Sequence, residues 1–168
     1  MQEIKELLKT KLKAAKRIAF LGVGSELRQD DASGMLIAEY IENAFRNKTA
    51  LKCQTKVFFG STAPENLTGK IKEFNPTHLV IIDSIDIGKP SGTISLITSE
   101  EIGGISFSTH RLPLKIMIQY LNEFLKSQIL IIGIQPKTIE FGNILSKEVT
   151  KSVKLLSGII IEILMQVK

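Results

Sequence analysis

The chain holds one cysteine, Cys53, among 168 residues. A single thiol can close no intramolecular disulfide and build no thiolate cluster, and it fits a reducing compartment; lying inside an expected strand, Cys53 reads as a small core residue. Neither a paired-cysteine zinc motif nor a His-Glu-x-x-His sequence is present, so a familiar zinc peptidase mechanism is not supported. Histidine is equally scarce, with His78 and His110 alone. Aromatic residues make up 6% of the chain and do not interleave with its basic residues. The net charge of +5, from 22 Lys and Arg against 17 Asp and Glu, therefore does not resemble a nucleic-acid groove. Lys5, Lys9, Lys11, Lys13, Lys16 and Arg17 follow one helical stretch, the other bases are scattered singly, and no nucleic-acid partner is expected. No apolar run approaches the roughly 20 residues that a membrane-spanning helix needs. The stretch from Ile159 to Val167 is broken by Glu162, and the opening MQEIKELLKTKLKAAKR is too charged for a signal peptide. Long polar or Pro/Gly-rich tracts are missing too, which leaves no room for a linker. A soluble, cytoplasmic protein is expected, monomeric, with one domain over 1–168 and no membrane insertion.

What the chain does have is regular alternation. Ile4, Leu7, Leu8 and Leu12 give the stripe of an amphipathic helix over 3–15, and Arg17 to Gly22 is a short apolar run entering a Gly22-Val23-Gly24 turn. Met35, Leu36, Ala38, Ile41, Ala44 and Phe45 return to helical spacing. A second strand is expected from about Leu51 to Phe59, then a helix opened by Pro64 and running to about Phe74. His78 to Asp83 is an apolar strand ending on a carboxylate. The turn Lys89-Pro90-Ser91-Gly92 leads to a strand at Thr93 to Thr98. A helix with Leu114, Met117, Ile118, Leu121, Phe124 and Leu125, a strand at Gln128 to Gly133, and a closing helix from Val149 to Val167 complete the chain. Continuous apolar strands alternating with helices predict an α/β fold. The expected architecture is a three-layer α/β/α arrangement, with a mainly parallel twisted sheet of about five strands, one antiparallel edge strand and helices on both faces.

In open α/β sheets ligands gather outside the carboxyl ends of the strands. The loop after the first strand, Gly22 to Gly34, suggests a dinucleotide fold at first sight. Leu27, however, stands where the third glycine belongs, and Asp30 and Asp31 put negative charge where a pyrophosphate would sit. Acids in a first helical turn have an ordinary explanation, since they cap free N–H groups and complement the helix dipole. Asp31 gains weight from Asp83, which ends the central apolar strand, and from His110, in a loop before a proline-started helix at the same edge. His78 stands at the opposite end of its strand and reads as structural. Two carboxylates and an imidazole suit Ni, Zn, Mn or Fe and leave coordination positions open. No serine, cysteine or threonine nucleophile has a partnered base in evidence.

Taken together, Gly-x-Gly-x-x-Leu-x-x-Asp-Asp-x-x-Gly from Gly22 to Gly34, the strand His78 to Asp83, Ser-Thr-His-x-x-Pro-Leu at Ser108 to Leu114 and Gly-Ile-Gln-Pro at Gly133 to Pro136 resemble the hydrogenase maturation endopeptidases. The resemblance covers about Ile18 to Leu164. It is strongest toward proteases serving hydrogenase 3 and other energy-converting or formate-linked hydrogenases, through Ser61 to Asn66 and the Gly-Ile-Gln-Pro segment. It implies an endopeptidase that removes the C-terminal extension of a nickel-iron hydrogenase large-subunit precursor after nickel insertion. Asp31, Asp83 and His110 are then the metal-binding and catalytic residues, and Gly22, Gly24, Ser25, Gly60 and Thr62 are expected along the substrate. The nickel is the substrate's own, and no tightly held organic cofactor is implied. Two positions depart from the family pattern. Ser25 stands where asparagine is frequent, and Phe59 where an acid is common, so that the chain either does without an acid there or uses Glu65 or Asp86. Phe59 also opens the alternative of a non-cleaving, nickel-dependent checkpoint or chaperone for the large subunit.

Overall fold

Strands without a polar face have to be covered on both sides. β1 (Arg17–Val23) and β3 (His78–Asp86) are such strands, buried throughout except at Arg17 and Asp86. The computed structural model describes residues 2–46, 53–97, 106–107 and 111–166. In it β2 (Gln54–Ser61), β1, β3 and β6 (Gln128–Ile134) lie side by side and parallel, and β4 (Ile94–Ile97) closes the sheet antiparallel to β6. A short β5, Ser106–Phe107, pairs antiparallel with Ile85 and Asp86. One face carries α1 (Gln2–Leu12), α2 (Ser33–Phe45) and α5 (Lys147–Gln166), which bury Leu8, Ile37, Ile41, Val153 and Ile160 with Phe20, Val80 and Ile132. The other carries α3 (Thr68–Phe74) and α4 (Arg111–Phe124), with Ile71, Leu114, Met117 and Leu121 packed around Leu21, Leu79, Ile81 and Ile131. The three-layer architecture expected from the alternation is the one observed. Among the described residues no helix is long and apolar enough to cross a membrane.

The differences from the sequence expectation are local and have physical reasons. The segment opened by Pro64 starts as a 3-10 turn, Pro64–Leu67, and becomes α-helical only at Thr68. α4 begins at Arg111, so Pro113 falls within its first turn, where a missing N–H costs nothing. The antiparallel edge strand expected there is β4, which joins β6 as the turn between β3 and β4 is carried across the end of β6. There the Gln135 Oε1 accepts the N–H groups of Ile87 (2.8 Å) and Lys89 (3.2 Å), and its Nε2 donates to Asp86 Oδ1 (3.1 Å). Residues 51, 52, 98 and 167, expected at element ends, lie outside the described residues.

Chain order and sheet order together place the site. β1 leads to β2 on one side and β2 leads to β3 on the other, so the connections part between the carboxyl ends of β1 and β3. That parting is the crevice where ligands of such sheets collect. Pairing of β1 with β3 stops at Gly22 and Ile82, and β3 runs on through Asp83 beyond its neighbour. The head of α2 closes the crevice from above at Gly34, where a Cβ would overlap the carbonyl oxygens of both Ile82 and Val23. Gly34→Ala is therefore expected to lower stability by about 2 kcal/mol or more. Gly158→Ala, at an exposed position inside α5 with nothing within 4 Å, is expected to raise it by up to about 1 kcal/mol. Opposite shifts of the urea midpoints check the pair.

Candidate functional site

Past Val23 the chain reverses sharply. Gly24 adopts φ 127°, and a Cβ there would overlap the Asp31 carbonyl oxygen, so the loop closes on itself only with glycine. The Gly24 N–H donates to the Ser61 carbonyl (3.0 Å), the Ser25 N–H to Asp31 Oδ2 (2.9 Å) and the Arg28 N–H to the Ser25 carbonyl (3.2 Å). The chain then enters a 3-10 turn, Gln29–Ala32, in which Asp30 and Asp31 are both buried. Neither aspartate caps a helix: the residue before this turn is Arg28, the one before α2 is Ala32, and neither end has a side-chain cap. The two acids have separate tasks.

Asp30 is a clamp. Its Oδ2 accepts the N–H groups of Lys137 (2.8 Å) and Thr138 (3.2 Å), and its Oδ1 accepts that of Ser146 (2.7 Å). Charge-assisted bonds of this kind satisfy a fully buried carboxylate and fix the loop between β6 and α5. No spacing rule marks this role, because its partners lie more than a hundred residues away.

Asp31 and Asp83 form the centre of the candidate site. Asp83 has no exposed surface and Asp31 1%. Burial pushes the Asp83 carboxyl up from 3.8 to about 8, the charge of Asp31 adds to the shift, and the Ser84 N–H offsets only part of it. Neither Asp83 oxygen meets a hydrogen-bond partner of normal geometry among the described residues, nor do the buried hydroxyls of Ser33 and Ser84. These two serines carry no sequence signal beyond adjacency to an acid. His110 lies outside the described residues. Among the described residues no group of three His, Cys, Asp or Glu side chains forms a ready metal site. His78 is at the far edge of the sheet, buried with its Nδ1 3.0 Å from Thr77 Oγ1, and desolvation lowers its pKa. That is the structural role expected for it.

The expected substrate-lining residues divide. Gly22 faces α2, where a Cβ would lie 2.6 Å from the Gly34 carbonyl oxygen, and Gly60 packs against Pro64 and Gly22. The N–H groups of Gly24 and Ser25 are used within the loop and by Ser61. These contacts make Gly22, Gly24, Ser25 and Gly60 part of the walls of the crevice. Thr62 is exposed at the carboxyl end of β2. Phe59, 45% exposed, walls a surface cavity of about 310 Å³ with Met35, Glu26, Glu39, Glu42, Asn43 and Arg46. The acids beside Phe59 are thus Glu26, Glu39 and Glu42. Asp86 is engaged by the Gly88 N–H and Gln135, and Glu65 buries one oxygen under the turn after β2.

Two expectations follow. A folded-state pKa above the unfolded value means that the folded chain holds a proton which the unfolded chain releases, so wild-type stability falls as pH rises from about 4 to about 8. Asp83→Asn removes this titration and should gain on wild type across that window, by at most about 1.4 kcal/mol per pH unit, with no further change above it. Melting temperatures of both proteins at several pH values check it; a constant difference refutes it. Asp30→Ala leaves three N–H groups without their acceptor. A loss of about 3 kcal/mol is expected, with faster hydrogen exchange at Lys137, Thr138 and Ser146 that Asp31→Asn does not share.

Known proteins resemble the chain in sequence and in fold. The sequence profile of the hydrogenase maturation protease family matches residues 35–163. A protein of Methanocaldococcus jannaschii, named as a candidate hydrogenase maturation protease, is 38% identical over 167 residues, 98% of each chain. The hydrogenase 3 maturation protease of Escherichia coli K12 is 34% identical over 122 residues, 72% of this chain and 74% of its own. The crystal structure of the NiFe hydrogenase maturation protease HycI from Thermococcus kodakarensis KOD1 superimposes with a TM-score of 0.84 at 31% identity, covering 95% of this chain and 99% of that one. The chain with the buried Asp31 and Asp83 belongs to the hydrogenase maturation protease family, a family of peptide hydrolases.

Proposed function

We propose that the chain removes the C-terminal extension of a nickel-iron hydrogenase large-subunit precursor of the hydrogenase 3 type after nickel insertion, and that Asp31, Asp83 and His110 recognise the nickel this substrate carries. The observation that carries the reading is the buried carboxyl pair. Asp83 is fully buried beside a second carboxylate, with neither oxygen in a hydrogen bond of normal geometry among the described residues. For the chain alone that arrangement is costly, and a divalent cation relieves it by replacing the proton. Carboxylate oxygens with an imidazole suit a borderline ion such as nickel and leave positions for ligands supplied by the precursor.

Within this reading the chain's own groups position and exchange protons. The Ser25 N–H holds Asp31 Oδ2 in place. Asp83 keeps its proton at neutral pH until a cation arrives and then gives it up. Nickel in the substrate supplies Lewis acidity toward a peptide carbonyl or a water. Cys53, the one thiol, is buried at the amino end of β2, away from the carboxyl edge, and serves no nucleophilic role.

The test compares nickel-loaded and nickel-free precursor. Wild type should shorten only the loaded form, and Asp31→Asn, Asp83→Asn and His110→Ala should each slow this at least about 100-fold. Equal shortening of both forms removes nickel from the mechanism. Nickel-dependent binding without shortening replaces cleavage by a checkpoint function, the outcome that Phe59 makes worth separating.

A further inference from the structure

The two most exposed large apolar side chains among the described residues, Phe141 at 81% and Ile144 at 78%, stand on the loop that Asp30 clamps. Leu27, 61% exposed, joins them from the loop after β1. The two loops are bonded directly, since the Gly142 N–H donates to the Leu27 carbonyl (2.9 Å) and the Gln29 N–H to the Gly142 carbonyl (2.8 Å). Arg28 Nε adds a bond to the Ile139 carbonyl (3.0 Å), and the Asp30 N–H one to the Thr138 carbonyl (3.2 Å). The backbone is therefore held while its apolar side chains remain in water. Mobile loops expose apolar groups without consequence. A braced loop presents them preorganised, at little further entropic cost to a partner.

We propose that Leu27, Phe141 and Ile144 form the docking surface for the folded body of the large-subunit precursor. The inference rests on the function proposed above. If Asp31 and Asp83 reach a metal held inside a folded subunit, the rim around them has to face that subunit. This rim is continuous with the site through adjacent residues: Asp31 reads the substrate, and Asp30 ties the docking loop to it. Docking on Phe141 and Ile144 thus sets the approach of the precursor to the carboxyl pair. The occupant is a protein surface with an apolar depression, since three large side chains on a braced rim match that chemistry better than they match a short polar tail.

The test uses the full chain and a nickel-iron hydrogenase large-subunit precursor from the same organism, nickel-loaded and carrying its extension. Phe141→Ser/Ile144→Ser and Leu27→Ser should each raise Kd and KM about 10-fold or more, leave kcat within about twofold and leave the melting temperature unchanged. Phe124→Ser, another exposed apolar position, should change none of these. Unchanged Kd and KM in the double variant overturn the proposal, as does a fall in kcat at constant KM, which would mean that the loop only holds Asp31 in place. A wild-type dimer that the double variant dissociates, with precursor affinity intact, assigns the surface to a second copy and also overturns it. Failure of the underlying reading shows differently: Asp83→Asn then still cuts, or wild type binds without cutting, while the effect of the rim variants on Kd is read independently.

Discussion

Asp31 and Asp83 are buried close enough for the charge of one to raise the pKa of the other, and burial is the larger part of that shift. Such a pair forms only where apolar strands exclude water and the backbone can bring two loops over one crevice. β1 and β3 supply the low-dielectric walls, and β3 overruns its pairing with β1 by the residue that carries the carboxyl. Gly34 lets the head of α2 settle onto the carbonyls of Ile82 and Val23, and Gly24 lets the preceding loop fold back onto Asp31. Take away either close approach and the acids separate, and Asp83 loses the burial and the neighbouring charge that raise its pKa.

The neighbouring aspartates show how differently two identical side chains act one residue apart. Asp30 faces inward to three N–H groups of the loop between β6 and α5, which satisfy its charge completely enough to make it a structural fixture. Asp31 faces the crevice, anchored through one oxygen by Ser25. A satisfied structural carboxylate and a member of the buried acid pair are thereby joined on one turn of backbone, and the clamped loop is held in register with that pair. Gln135 does similar work at the carboxyl end of β6, steering the chain over that strand into β4.

Much of this was legible in advance. Continuous apolar strands separated by amphipathic helices made a three-layer sheet with an antiparallel edge the natural reading, and its boundaries shifted by only a few residues. Asp31 and Asp83 stood out because they interrupt or end segments that lead to the carboxyl edge. Less visible were the partners of β4, the clamp made by Asp30 and the buried hydroxyls of Ser33 and Ser84, all of which depend on residues far away in the chain. The close packing and internal bonds of Gly22 and Gly24 in the first loop likewise depend on partners outside any local pattern. Phe59 was paired in expectation with Glu65 or Asp86, whereas α2 and the first loop bring Glu39, Glu42 and Glu26 beside it.

The sequence by itself determined the periodicities, and with them the layers, the order of elements and the carboxylates available at strand ends, because side-chain spacing alone decides which faces must be covered. Only the tertiary structure decided which acid is satisfied and which is left without a bond of normal geometry. That distinction rests on three N–H groups delivered from residues 137, 138 and 146 to Asp30, and on the absence of any such delivery to Asp83 among the described residues. Burial and hydrogen-bond supply are properties of packed surfaces, and no local pattern encodes them.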